Sequence, residues 1–200
     1  MLFLIKNKLF PMQMLIVGFL LGSMWLKSMW DLHWDFDYNA RLWFFLFIGI
    51  AILAVSDSAL HGLLTLLFRK AYLHRYTAMV EFFRPQKLQE ILVAGILAGT
   101  EELVFRGLCL GGLLSLNLQP WSAVLLTAVV FGLCHLMPTA DHWPFCIWAI
   151  WEGTLLSLLY IWSDGSLLLC VVIHALHDVV GFALFEYQRK TGWLIPKQEK

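Results

Sequence analysis

Apolar runs long enough to cross a bilayer dominate this chain, and they leave little choice but a membrane fold. A span needs roughly 20 apolar residues. Six stretches approach or exceed that: Pro11 to Trp25, Leu42 to Phe68, Leu88 to Leu114, Trp121 to Met137, Phe145 to Trp162 and Ser166 to Phe185. Only 14% of the residues are charged and 60% are hydrophobic, whereas soluble domains carry about 25% charge. There is too little charge to cover a water-facing surface. Lys6 and Lys8 precede the first run as they would in a signal peptide, but the residues after it, Ser23 to Lys27, are too bulky for a cleavage site. That run therefore reads as a retained span. The expected fold is an all-α, polytopic bundle of about six spans, a single membrane domain over residues 1–200.

The 14 Lys and Arg are balanced by 14 Asp and Glu, which excludes a nucleic-acid binder with a basic face and a disordered acidic tail. Where the cations fall gives the orientation. With the N-terminus inside, the inner side holds Lys6, Lys8, Arg69, Lys70, Arg75, Arg84, Lys87, Arg189, Lys190, Lys197 and Lys200, and the outer side only Lys27 and Arg41. Both termini are thus expected in the cytoplasm. Trp30, Trp34, Trp43, Trp121, Trp143 and Trp162 lie near span ends, as an interfacial belt requires. The basic inner connection from Arg69 to Lys87 reads as an amphipathic piece along the headgroups or as a solvated linker. Cys109, Cys134, Cys146 and Cys170 sit in apolar runs without CxxC pairing, so they read as small core hydrophobes.

Ionisable residues inside spans cost at least roughly 2.5–3.5 kcal/mol each and mark function by default. This chain places Asp57, His61, Glu101, Glu102, Arg106, His135, Glu152, His174, His177 and Asp178 in its spans. Such a set calls for a polar, water-accessible cavity between the helices. Glu101 falls at the midpoint of its run. Glu102 and Arg106 are four apart with acid before base, the favourable helical order, so they are expected to pair and leave Glu101 facing the cavity. His135 ends the fourth run. His174 and Asp178 share one helical face. That HxxxD could supply two metal ligands, a histidine oriented by a carboxylate, or an interhelical hydrogen bond. Asp57 and His61, also four apart, read as a hydrogen-bonded pair outside the site, with a structural or cavity-wall role. Glu152 reads as a cavity-lining group or a partner for His177. Gly95 and Gly99 form a small-xxx-small stripe for close helix packing.

Glu101-Glu102-Leu-Val-Phe-Arg106, Phe131-Gly-Leu-Cys-His135 and His174-Ala-Leu-His-Asp178, each on its own span, resemble the EExxxR, FxxxH and HxxxN/D motifs of the CAAX protease and bacteriocin-processing (Abi) family. The resemblance covers Gly95 to Gly181, about half the chain, and sets a four-span catalytic core at residues 88–185. It implies a helical membrane bundle around a polar cavity open to the cytosol, hydrolysing a peptide bond near or within the membrane. In that family the residue matching Glu101 activates water together with the one matching His135, and the counterpart of His174 helps hold the oxyanion. Glu102 and Arg106 would then support Glu101. Asp178 departs from the prenyl-protein members, which carry asparagine there; ionised aspartate accepts hydrogen bonds but cannot donate them. The resemblance favours glutamate-dependent hydrolysis without a resident metal. If a divalent metal such as zinc takes part, Glu101, His135, His174 and Asp178 are its expected ligands.

The expected partners are a peptide or membrane-protein substrate and the lipid bilayer, with no nucleic acid. The charge bias and the lack of a long N-terminal targeting segment point to a bacterial inner membrane. Two other classes compete with the endopeptidase: a bacteriocin immunity or binding protein that needs no catalysis, and a proton-coupled carrier. The carrier would want inverted repeats, and the sequence has no internal symmetry.

Overall fold

The second apolar run continues as helix well past its hydrophobic stretch. In the computed structural model, which describes residues 40–82, 87–136 and 143–192, helix α1 extends over Ala40–Phe82. It bends at Arg69, whose backbone (φ 43°, ψ −119°) is not helical. All regular structure among the described residues is helical: α2 is Leu88–Glu102, a π-helical segment is Leu103–Leu110, α3 is Gly111–Ser115, α4 is Pro120–Cys134, α5 is Trp143–Trp162 and α6 is Leu167–Thr191. Three helices (Leu42–Phe82 within α1, α5 and α6) are long and apolar enough to cross a membrane, and α4 is a shorter apolar helix. The span expected at Pro11 to Trp25 lies outside the described residues.

The third run is one rod in three pieces, because hydrogen bonding widens to the i→i+5 pattern after the glutamate pair. Such π segments are rare and gather at functional sites; this one buries Phe105 and Arg106. Turn chemistry separates the later helices. Asn117 adopts positive φ after α3, and Gln119 then caps α4 by accepting from the Ser122 amide, with Pro120 in the first turn. Asp164 and Gly165, both at positive φ, turn the chain from α5 into α6.

The connection expected at Arg69 to Lys87 as a headgroup-lying piece or a linker is helical as far as Phe82 and has a buried face. Tyr72, Tyr76, Met79 and Val80 are almost wholly buried and pack with Trp143, Trp148, Phe182 and Phe185. Two hydrogen bonds pin this second arm of α1. His61 Nδ1 meets the Tyr72 hydroxyl at 2.9 Å across the bend, and the Tyr76 hydroxyl donates to Gln188 Oε1 on α6 at 2.9 Å. His61 therefore does not pair with Asp57. A buried phenol needs a partner for its hydroxyl, and here the bend brings Tyr72 to it.

The small-residue stripe packs as the sequence suggests. A Cβ on Gly95 would lie 2.7 Å from the Ala175 carbonyl oxygen, and one on Gly99 2.7 Å from that of Val171. Backbone of α2 thus rests directly on backbone of α6. Leu53, Leu156, Leu159, Cys170 and Ile173 tie α1, α5 and α6 together. The cysteines are unbridged, with Cys146 and Cys170 buried. Large apolar side chains such as Phe47, Val55, Leu66, Ile96, Leu125 and Val180 point outward. That would be an aggregating surface in water, but it suits a chain whose surroundings are hydrocarbon. Trp43, Trp121 and Trp162 are half exposed near helix ends, where belt residues belong.

Candidate active site

Helices α1, α2, α4, α5 and α6 and the π segment bring their out-of-place ionisable groups to one region. At its base is Arg106, wholly buried in the π segment. Its Nη1 donates to Glu102 Oε1 at 2.6 Å, and neither side chain has any exposure. Its Nη2 donates to the Gly153 carbonyl of α5 at 2.9 Å. Its guanidinium also stacks on Phe131 of α4, 4.8 Å from the ring centroid, a cation–π contact. Gly153 allows this approach, since a Cβ there would lie 3.0 Å from the Phe131 ring and 3.4 Å from Nη2. The pairing of Glu102 with Arg106 is as the sequence suggests.

Glu102 also has a second partner, which the spacing did not reveal. Its Oε1 lies 2.7 Å from His174 Nδ1 on α6, so one carboxylate joins the glutamate motif to the last histidine. The other ring nitrogen of His174, Nε2, is 3.7 Å from Asp178 Oδ1. Asp178 in turn lies 3.3 Å from His177 Nδ1, and His177 Nε2 lies 2.6 Å from Asp57 Oδ2 on α1. A continuous chain of charged and polar contacts therefore runs from Arg106 through Glu102, His174, Asp178 and His177 to Asp57. The sequence marked Asp57 and His177 as out of place in a span, but it gave no sign that they meet.

The second pair stands beside this chain. His135 follows the last turn of α4, and its Nδ1 lies 2.8 Å from the Phe131 carbonyl oxygen. A carbonyl only accepts, so Nδ1 carries the proton and Nε2 is left to face Glu101, whose Oε2 is 3.9 Å away. Phe131 and Phe145 flank the imidazole edge-on at 4.6 and 4.7 Å between centroids, which holds its orientation. Glu101 and His135 come together although one sits mid-run and the other at a run's end. Glu152, on α5, lies close to both His174 and Asp178, and to Asp57 and His177. The sets of three donor atoms within 4.8 Å of one another among the described residues are Asp57 with Glu152 and His177, and Glu152 with His174 and Asp178. Glu101 and His135 belong to neither set.

An apolar helical bundle that buries an arginine, several carboxylates and three imidazoles between its rods is a polytopic membrane protein with an acid–histidine centre. Residues 84–180 match the family model described as Rce1-like, the type II CAAX prenyl endopeptidase Rce1-like family. That segment holds all three motifs, and the match supports the CAAX protease and bacteriocin-processing family, a group of CAAX-type intramembrane proteases. No curated protein and no solved structure matches it.

Proposed function

We propose that this protein is an intramembrane endopeptidase in which Glu101 and His135 jointly activate the hydrolytic water. The observation that carries the reading is the Glu101–His135 geometry. A separation of 3.9 Å is too long for a direct hydrogen bond and suits one water bonded to both groups. With Nδ1–H committed to the Phe131 carbonyl, Nε2 offers a lone pair, so the water donates one hydrogen to His135 and the other to Glu101 Oε2. Its oxygen lone pair is then free to attack the scissile carbonyl carbon while Glu101 takes the proton. The tetrahedral intermediate needs a donor for its oxyanion. His174 supplies it from Nε2 when Nδ1 donates to Glu102, which requires the ring to carry both protons. Collapse breaks the C–N bond, and the proton held by Glu101 passes to the leaving amine. Asp178, 3.7 Å from Nε2, orients His174, and Arg106 holds Glu102 in place.

The reading extends to the surroundings: a single membrane domain of six spans, with both termini cytoplasmic and residues 88–185 as the catalytic core. The groups line a polar cavity open inward, and the substrate is a peptide or membrane protein of a bacterial inner membrane. Glu101→Gln and His135→Ala are expected to accumulate in the membrane yet leave uncleaved a substrate found by comparing peptide termini in membranes of cells with and without the protein. Normal processing by Glu101→Gln would end the assignment. Full protection against a peptide toxin by that same variant would instead mark an immunity protein that needs no catalysis.

A further inference from the structure

We propose that Asp57, Glu152 and His177 bind one divalent transition-metal ion between α1, α5 and α6, beside the Glu101–His135 pair and separate from it. The three donor atoms lie within 4.8 Å of one another, and each comes from a different helix. Glu152 is only 8% exposed, and its carboxylate makes no hydrogen bond to any described residue. Asp57 Oδ1 is likewise buried with no partner, while Oδ2 of the same carboxylate meets His177 Nε2. Buried carboxylate oxygens left unpaired are costly and need an explanation; a cation at the centre of the triad supplies one.

His177 is arranged as a ligand with an outer partner. Its Nδ1 faces Asp178 at 3.3 Å, and a proton there donated to Asp178 leaves the Nε2 lone pair directed at the triad. Metal-bound histidines characteristically donate their other N–H to such a carboxylate. Binding displaces the proton that otherwise bridges Nε2 and Asp57. Charge favours the same outcome: Asp57, Glu101, Glu102, Glu152 and Asp178 are gathered here, while Arg106 is held by Glu102. Two carboxylates and an imidazole suit zinc, manganese or ferrous iron and not a soft-metal site. Three protein ligands leave a coordination position open. The overlapping group of Glu152, His174 and Asp178 shares Glu152, but the unpaired Asp57 oxygen puts the ion on the α1 side. This inference does not depend on the peptidase reading, because its readout is metal content.

The test uses the full chain in mild detergent, loaded with Zn2+, desalted and assayed by elemental analysis, with Co2+ absorption bands reporting the coordination. Wild type and Glu101→Gln are expected to retain one ion per chain. Asp57→Asn and Glu152→Gln are expected to weaken binding by at least about tenfold, a loss that even outer partners of a site can produce. Glu152→Gln removes no hydrogen bond among the described residues, so it decides the matter even where Asp57→Asn fails to fold. Absence of stoichiometric binding by wild type overturns the proposal. So does unchanged affinity in Glu152→Gln, retention of the ion by folded Asp57→Asn, or its loss in Glu101→Gln.

Discussion

Replacing Arg106 by leucine tests whether the buried ion pair holds the site together. The arginine has no exposure and is joined to an equally buried Glu102 at 2.6 Å. Leucine leaves the Glu102 carboxylate with His174 as its remaining partner. Removing one member of a buried pair costs about 3–5 kcal/mol, and the lost stacking on Phe131 adds about 0.5–2 kcal/mol. The Gly153 carbonyl is not orphaned, because the Ser157 hydroxyl also donates to it at 2.7 Å. At about 2–4 °C per kcal/mol for a chain of this size, the pair's share alone lowers Tm by about 6–20 °C. Thermal unfolding in detergent can be followed with a thiol-reactive dye, since Cys146 and Cys170 are buried in the fold. If the penalty arises from an uncompensated charge, neutralising that charge relieves it. Glu102→Gln combined with Arg106→Leu is expected to melt above Arg106→Leu alone, with a coupling of about 0.5–3 kcal/mol. A single variant within about 3 °C of wild type, or a double variant that simply adds the two losses, would refute the reasoning.

Gly99→Ala places a Cβ 2.7 Å from the Val171 carbonyl and 2.9 Å from the Ala175 Cβ, so overpacking is expected to destabilise the fold by about 1–3 kcal/mol; Gly62→Ala, with nothing within 4 Å, serves as the control and should be neutral or slightly stabilising in the same melt. Tyr76→Phe removes the bond to Gln188 and should cost about 1 kcal/mol, seen as faster hydrogen exchange in residues 70–82. Unchanged exchange there would show that the aromatic packing alone fixes the second arm of α1. For chemistry, His135→Ala is expected to lower kcat by about 10²–10⁴, with membrane accumulation unaltered. A change confined to KM would place His135 in binding instead.

Chain chemistry alone decided the solvent, the helical class and the list of residues that do not belong in lipid. A run such as Leu42 to Phe68 must satisfy its own backbone hydrogen bonds in hydrocarbon, and a helix is the form that does so within one segment. Local spacing likewise set the Glu102–Arg106 pair and the glycine stripe, because residues three or four apart meet on a helix whatever surrounds it. Contacts between rods were beyond its reach. That Glu102 would hold His174, that Asp57 would turn from His61 to His177 across 120 residues, and that His135 would stand 3.9 Å from Glu101 depend on how the helices bend, tilt and rotate about one another. Periodicity gives the face a side chain occupies on its own helix; only packing of the assembled bundle decides which faces look at each other.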